Sequence, residues 1–175
     1  MSVLQTIVTS LFHGHSVKTP AKPDYNLERY LGERHEIARL ENWFESGLRK
    51  VYARYDHGED GTVSVTNGGY DARTGERREV HARARVADAP NHLKVYFVPV
   101  VYGRYEVAFV DEDYTRAVVS GGSLNYLWLL ARNPDVEEDH LEEMLRCARD
   151  LGYDTSRLIY SHAFCPAEAG VGQCR

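Results

Sequence analysis

The chain has 175 residues, 43% of them hydrophobic and 27% charged, which is enough for one domain with a core of its own. Its net charge of -5 argues against nucleic acid as a partner, because phosphate binding needs a dense basic patch. No run approaches the ~20 apolar residues of a membrane helix, so any membrane contact is expected to be peripheral.

Residues 1–25 read as an irregular leader and linker. Met1–Phe12 is apolar in flavour but lacks a basic flank and a small-residue cleavage site, so it reads as a retained leader. Pro20 and Pro23 break regular structure. The only cysteines are Cys147, Cys165 and Cys174, and none could carry a lipid near the start. That favours the cytoplasm, with the periplasm or envelope as the alternative. Three cysteines make no disulfide framework. Cys147 reads as a small buried hydrophobe on a helix, and a Cys165–Cys174 bridge stays open.

From Arg34 to Ile159 short segments recur at roughly ten-residue spacing between turn signals, the pattern of a sandwich or barrel. The first strand spans about 32–40. The second, about 49–57, carries Val51, Ala53 and Tyr55 on one face. Asp60-Gly61 makes a tight turn into 62–70. Thr74-Gly75 leads into 76–87, where Val80, Ala82, Ala84 and Val86 alternate with Glu79, His81, Arg83 and Arg85. After Ala89-Pro90-Asn91, strand 92–99 sets Leu93, Val95 and Phe97 against His92, Lys94 and Tyr96. Tyr102-Gly103 turns the chain into 104–111, Asp111-Glu112-Asp113 into 114–120, and Gly121-Gly122 into 125–132. Eight antiparallel strands on short hairpins, each with one apolar face, predict an all-β fold: an up-and-down barrel that leaves no open edge.

A helix is predicted over about 135–151. Asp135 is its expected N-cap, Glu138 completes a capping box, and Gly152 ends it. Leu141, Met144, Leu145, Ala148 and Leu151 form the stripe that packs on the barrel wall. Residues 157–161 read as a short strand and 163–175 as an irregular tail, so the domain covers 26–162.

The eight histidines form no metal-binding spacing. His13 and His15 read as an exposed leader pair, and His81 and His92 as solvent-facing residues on adjacent strands. No metal and no cofactor are expected.

An ordered set of short motifs carries a resemblance over about residues 26–162. It comprises Arg29-Tyr30-Leu31-Gly32, Glu36-Ile37-Ala38-Arg39, Phe44-Glu45-x-Gly47-Leu48, Asn67-x-Gly69-Tyr70, Leu93-Lys94-Val95-x-Phe97, Tyr102-Gly103-x-Tyr105, Asp111-x-x-Tyr114 and Tyr126-Leu127-Trp128-x-Leu130-x-Arg132-x-Pro134. The chain resembles the bacterial lipocalins of the outer-membrane-lipoprotein type, related to apolipoprotein D. The resemblance implies a calyx, closed at one end and open at the other, that carries or stores a fatty acid, lysophospholipid or similar small hydrophobic molecule, usually without catalysis. The inward rows then give Ala38, Val51, Ala53, Tyr55, Val65, Val80, Ala82, Ala84, Leu93, Val95, Phe97, Tyr126 and Trp128 as candidate ligand contacts. Trp43 and Phe44 fall on the first loop, either as a gate at the mouth or as an anchor on the rim.

The family's first motif is Gly-x-Trp, with an Arg from its third motif stacked across the Trp. Here Gly32 and Arg132 stand in place, but the Trp position is Arg34. The usual cation–π contact is lost, and two guanidinium groups approach each other in the base, a costly arrangement without partners. In one reading Glu36, on the same strand face, pairs with Arg34 and Arg132 and plugs the closed end. In a second, Arg34 grips a ligand carboxylate or phosphate. In a third, Arg34, Glu36 and Arg132 perform acid–base chemistry on a small apolar metabolite. A tetrapyrrole or carotenoid carrier is a further alternative to the lipid carrier, and a homodimer is one outcome for the oligomeric state.

Overall fold

A computed structural model describes residues 16–42, 45–99 and 101–161. After a one-turn helix α1 (Leu27–Tyr30) come β1 (Gly32–Leu40), β2 (Leu48–His57), β3 (Val63–Asp71), β4 (Arg77–Val86), β5 (His92–Val98), β6 (Val101–Val110), β7 (Arg116–Ser120) and β8 (Leu127–Ala131). Helix α2 (Glu138–Asp150) and a short β9 (Leu158–Tyr160) follow. Each strand pairs antiparallel with the next, and β1 pairs with both β2 and β8, so the eight-stranded barrel closes as predicted. β2 leaves β1 after His35, and β9 takes up the freed edge, with Ala38 opposite Tyr160 and Leu40 opposite Leu158.

Several local expectations change. Tyr102 and Gly103 do not turn the chain: they lie inside β6, where Gly103 pairs with Val95. Tyr114 belongs to the turn rather than to β7. Its φ is +59°, and Asp111 holds the turn by accepting from the backbone of Thr115 and Arg116 at 2.7 and 2.8 Å. Asp135 does not cap α2. The helix begins later, with Glu137 at the N-cap position and no side-chain cap bond, while the Asp135 amide is spent on Asn133. Gly152 ends the helix as expected, with φ +91° and its amide on the Arg149 carbonyl.

The linker proves structural where it is described. Val17 and Tyr25 are buried, Ser16 bridges to Ser123, and the buried Asn91 side chain binds the Lys22 amide and the Pro20 and Val107 carbonyls. Met1–Phe12, His13, His15, Trp43, Phe44, Cys165 and Cys174 lie outside the described residues. Cys147 is half-buried on α2 against the outer core.

Two cores result. One lies between the barrel wall and α2, where Ile37, Ala38, Val118 and Leu129 meet Leu141, Met144 and Ala148. The other lies inside the barrel, with Tyr25, Tyr30, Tyr55, Ala84, Leu93, Val107 and their neighbours, and part of it forms the wall of the cavity. Met144 is fully buried at the centre of the first. Met144→Ala is expected to cost about 2–5 kcal/mol, the range for a cavity left in a close-packed core. Urea unfolding followed by circular dichroism measures it.

Candidate functional site

The barrel encloses a cavity of about 520 Å³, inside the range of small-molecule sites. Val51, Ala53, Tyr55, Val65, Val80, Val95, Phe97, Tyr126 and Trp128 line it, as does Leu130. Val80, 55% exposed, and Phe97, 38% exposed, sit at the open end. Four residues expected on the lining do not reach it. Ala82, Ala84 and Leu93 are packed in the inner core of the barrel, off the lining, and Ala38 lies on the opposite face, under α2.

A β-bulge in β1 displaces Ala38. Glu36 pairs with Leu130, but Ala38 rather than Ile37 pairs with Leu129, so one extra residue is inserted and the facing reverses. Simple alternation puts 34, 36 and 38 inside. The bulge instead sends Ile37 and Ala38 outward and brings Arg39 in beside Glu36. Their side chains meet at 2.7 Å, both buried. Arg39 also reaches Glu45, by its Nη2 to the carbonyl at 3.1 Å and its Nε to the carboxylate at 3.4 Å. Glu45 further accepts from Asn42 and from the Trp128 indole at 3.1 Å.

Glu36 and Glu45, both on the lining, thus share a single guanidinium. Two buried carboxylates and one cation leave a negative charge that desolvation opposes. Burial first, and the neighbouring Glu45 second, push the Glu36 carboxyl up to about 8, and burial raises Glu45 as well. Burial therefore favours the protonated form of the pair.

The base is not the ion-pair plug expected around Arg34. Arg34 is fully buried and stacks on the Tyr30 ring, 3.9 Å from its centre. It donates to the Tyr30 carbonyl at 3.1 and 3.3 Å and to the Tyr114 carbonyl at 2.9 Å. Arg132 shares the Tyr114 carbonyl at 3.1 Å and donates to those of Leu31 and Arg29 at 2.8 and 2.9 Å. The two arginines do approach, but among the described residues no carboxylate is in ion-pair contact with either. Glu36 is committed to Arg39 and plugs nothing, so the ion-pair plug is corrected to a carbonyl cage under an aromatic ring. Arg34 and Arg132 do not line the cavity, whereas Glu36 does, so the three do not form one cluster. Gly32 is needed here. Its φ is +103°, and a Cβ would lie 2.9 Å from Arg132 Nη1.

Sequence reasoning missed the tyrosines above this cage. Tyr30 and Tyr55 each place their hydroxyl on that of Tyr105, at 2.6 and 2.7 Å. Tyr25 and Tyr114 complete the aromatic packing. Alternation in β2 marks Tyr55, but only the tertiary fold brings Tyr30 and Tyr105 to it. His92 is also corrected: it is buried, with its ring bonded to the Thr19 carbonyl and to Asp88.

Residues 25–163 match the lipocalin-like domain. The chain is 42% identical over 140 residues to the outer membrane lipoprotein Blc of Vibrio cholerae serotype O1, covering 78% of this chain and 82% of that one. It is 38% identical over 139 residues to the protein of the same name from Escherichia coli K12, covering 78% of each. Insecticyanin from the tobacco hornworm Manduca sexta has the same fold, with a TM-score of 0.68 at 17% identity over 94% of both chains. The cytoplasmic location expected from the cysteines and the leader does not stand. The bacterial relatives are named as outer membrane lipoproteins, and that points to the envelope.

The raised Glu36 carboxyl sets a pH dependence. An unfolded chain releases this proton near the ordinary value of 4.5, whereas the folded protein holds it up to about 8. The stabilisation is complete below about pH 4.5 and is lost as pH rises toward 8. Glu36→Gln is expected to flatten this fall, read as urea midpoints between pH 5 and 8.

Proposed function

We propose, from the premise that the chain belongs to the lipocalin-like family, that its barrel binds one amphiphile of the fatty-acid or lysophospholipid class. The family binds small hydrophobic ligands. The observation that carries the finer reading is the mostly apolar cavity of about 520 Å³ ending against a sealed base. An acyl chain there is stripped of water by Val51, Ala53, Val65, Val95 and Leu130. Each methylene contributes on the order of 0.8 kcal/mol, so a chain of ordinary length reaches micromolar affinity without a special headgroup contact. Arg78 and Arg104, also on the lining, supply cations to a phosphate or carboxylate. The names of the bacterial relatives support an envelope setting, where such amphiphiles are available.

Two measurements test this. Native mass spectrometry after gentle purification is expected to show a bound lipid. Titration with a lysophospholipid is expected to change tryptophan fluorescence, because Trp128 lines the cavity. A protein that arrives empty and shows no fluorescence response would sink the reading. Ala53→Trp, which fills the cavity, is expected to weaken binding at least tenfold.

A further inference from the structure

The cavity ends on a hydrogen-bond chain whose protons do not balance. Tyr30, Tyr105 and Tyr55 bring three hydroxyl protons to two contacts, at 2.6 and 2.7 Å. Each hydroxyl donates once, so one proton has no acceptor within the chain. Burial pushes all three hydroxyls above the usual tyrosine range, so they remain protonated donors.

Where the spare proton goes follows from the surroundings. Tyr30 is fully buried and off the lining, whereas Tyr55 and Tyr105 face the cavity. Leaving the spare proton on Tyr30 would strand a donor in a dry base, a penalty of about 1–3 kcal/mol. The guanidinium of Arg34 lies 3.9 Å over the Tyr30 ring. It draws electron density from that phenol and makes it the better donor. The chain therefore runs outward from Tyr30 to Tyr105, and the free proton appears on Tyr105 or Tyr55, at the cavity floor.

We propose that this floor is an acceptor-binding subsite, in which Tyr55 and Tyr105 seat a carbonyl or hydroxyl oxygen at the inner end of an otherwise apolar ligand. The proposal rests on the amphiphile reading and names its substrate class: a chain oxygenated at the end remote from its headgroup. A charged inner group does not fit. One spare donor leaves a carboxylate short of partners in a desolvated site, and the Arg34 charge is sealed behind the Tyr30 ring and bound to carbonyls.

The test uses the whole protein and two kinds of probe. Saturated fatty acids from C10 to C18 first give the chain length at which affinity stops rising. That acid is then compared with its counterpart bearing a ketone on the carbon before the terminal methyl. The keto acid is expected to bind the native protein at least as tightly as the plain acid, with its carbonyl stretch moved to lower frequency. Tyr55→Phe and Tyr105→Phe each leave one hydroxyl proton free toward the cavity, so the double variant Tyr55→Phe/Tyr105→Phe is the one expected to weaken the keto acid about tenfold relative to the plain acid. The plain acid's own affinity reports whether the double variant keeps its cavity. A keto acid tenfold weaker than the plain acid on the native protein overturns the subsite, as does a ratio that the double variant leaves unchanged. If neither acid binds the native protein, the amphiphile reading itself fails and the subsite falls with it.

Discussion

The barrel depends on the double pairing of β1. Its first residues close the sheet against β2 on one edge, and its middle holds β8 on the other. Because β2 departs after His35, β9 covers the exposed part of that edge. The same strand must also satisfy two cores, one inside the barrel and one beneath α2. A bulge at Ile37 resolves this demand. It sends both Ile37 and Ala38 to the outer core and leaves Glu36 and Arg39, three residues apart, side by side within the barrel.

The closed end shows how a buried cation persists without a carboxylate. The Arg34 guanidinium exchanges hydration for carbonyls of Tyr30 and Tyr114 and for the face of the Tyr30 ring. Carbonyls are weaker partners than a carboxylate, and Arg34 Nη1 finds none. The second guanidinium, Arg132, is caged in the same way, and its Nη1 takes up the space beside Gly32 that a side chain there would contest. A base sealed by Trp and Arg in the lipocalins that this chain resembles is here sealed by two arginines and a tyrosine cluster. The tyrosines bring hydroxyls, and hydroxyls make the floor of the cavity polar at one point.

The cavity is therefore apolar along its length and polar at separated places. Glu36, Arg39 and Glu45 form a buried charged group on one wall, tied to Trp128 through its indole. Tyr55 and Tyr105 form a neutral donor group at the floor. The two differ in chemistry: the wall group has more acid than base, and burial raises both of its carboxyls, whereas the floor group has one proton more than its contacts use.

Strand number, order and closure were legible in the residues themselves, because alternation and turn chemistry act over a few neighbours. Val80 to Val86 and Leu93 to Phe97 carry their facing in plain period-2 form. The apolar stripe of α2 and its terminating Gly152 were equally local. Alternation failed at Ala38, where a bulge adds a residue that no local signal marks. It failed at Tyr102-Gly103, where a turn-like pair continues a strand because Val95 pairs with it. The partner of Glu36 could not be read either: parity offered Arg34, and the bulge supplied Arg39. Nor could the tyrosine floor, since Tyr30, Tyr55 and Tyr105 are 25 to 75 residues apart. The sequence by itself determined a closed barrel with an apolar interior and an anomalous arginine at its base. Only the tertiary structure decided what that arginine touches, because long-range packing, not spacing along the chain, sets which carbonyls and rings reach it.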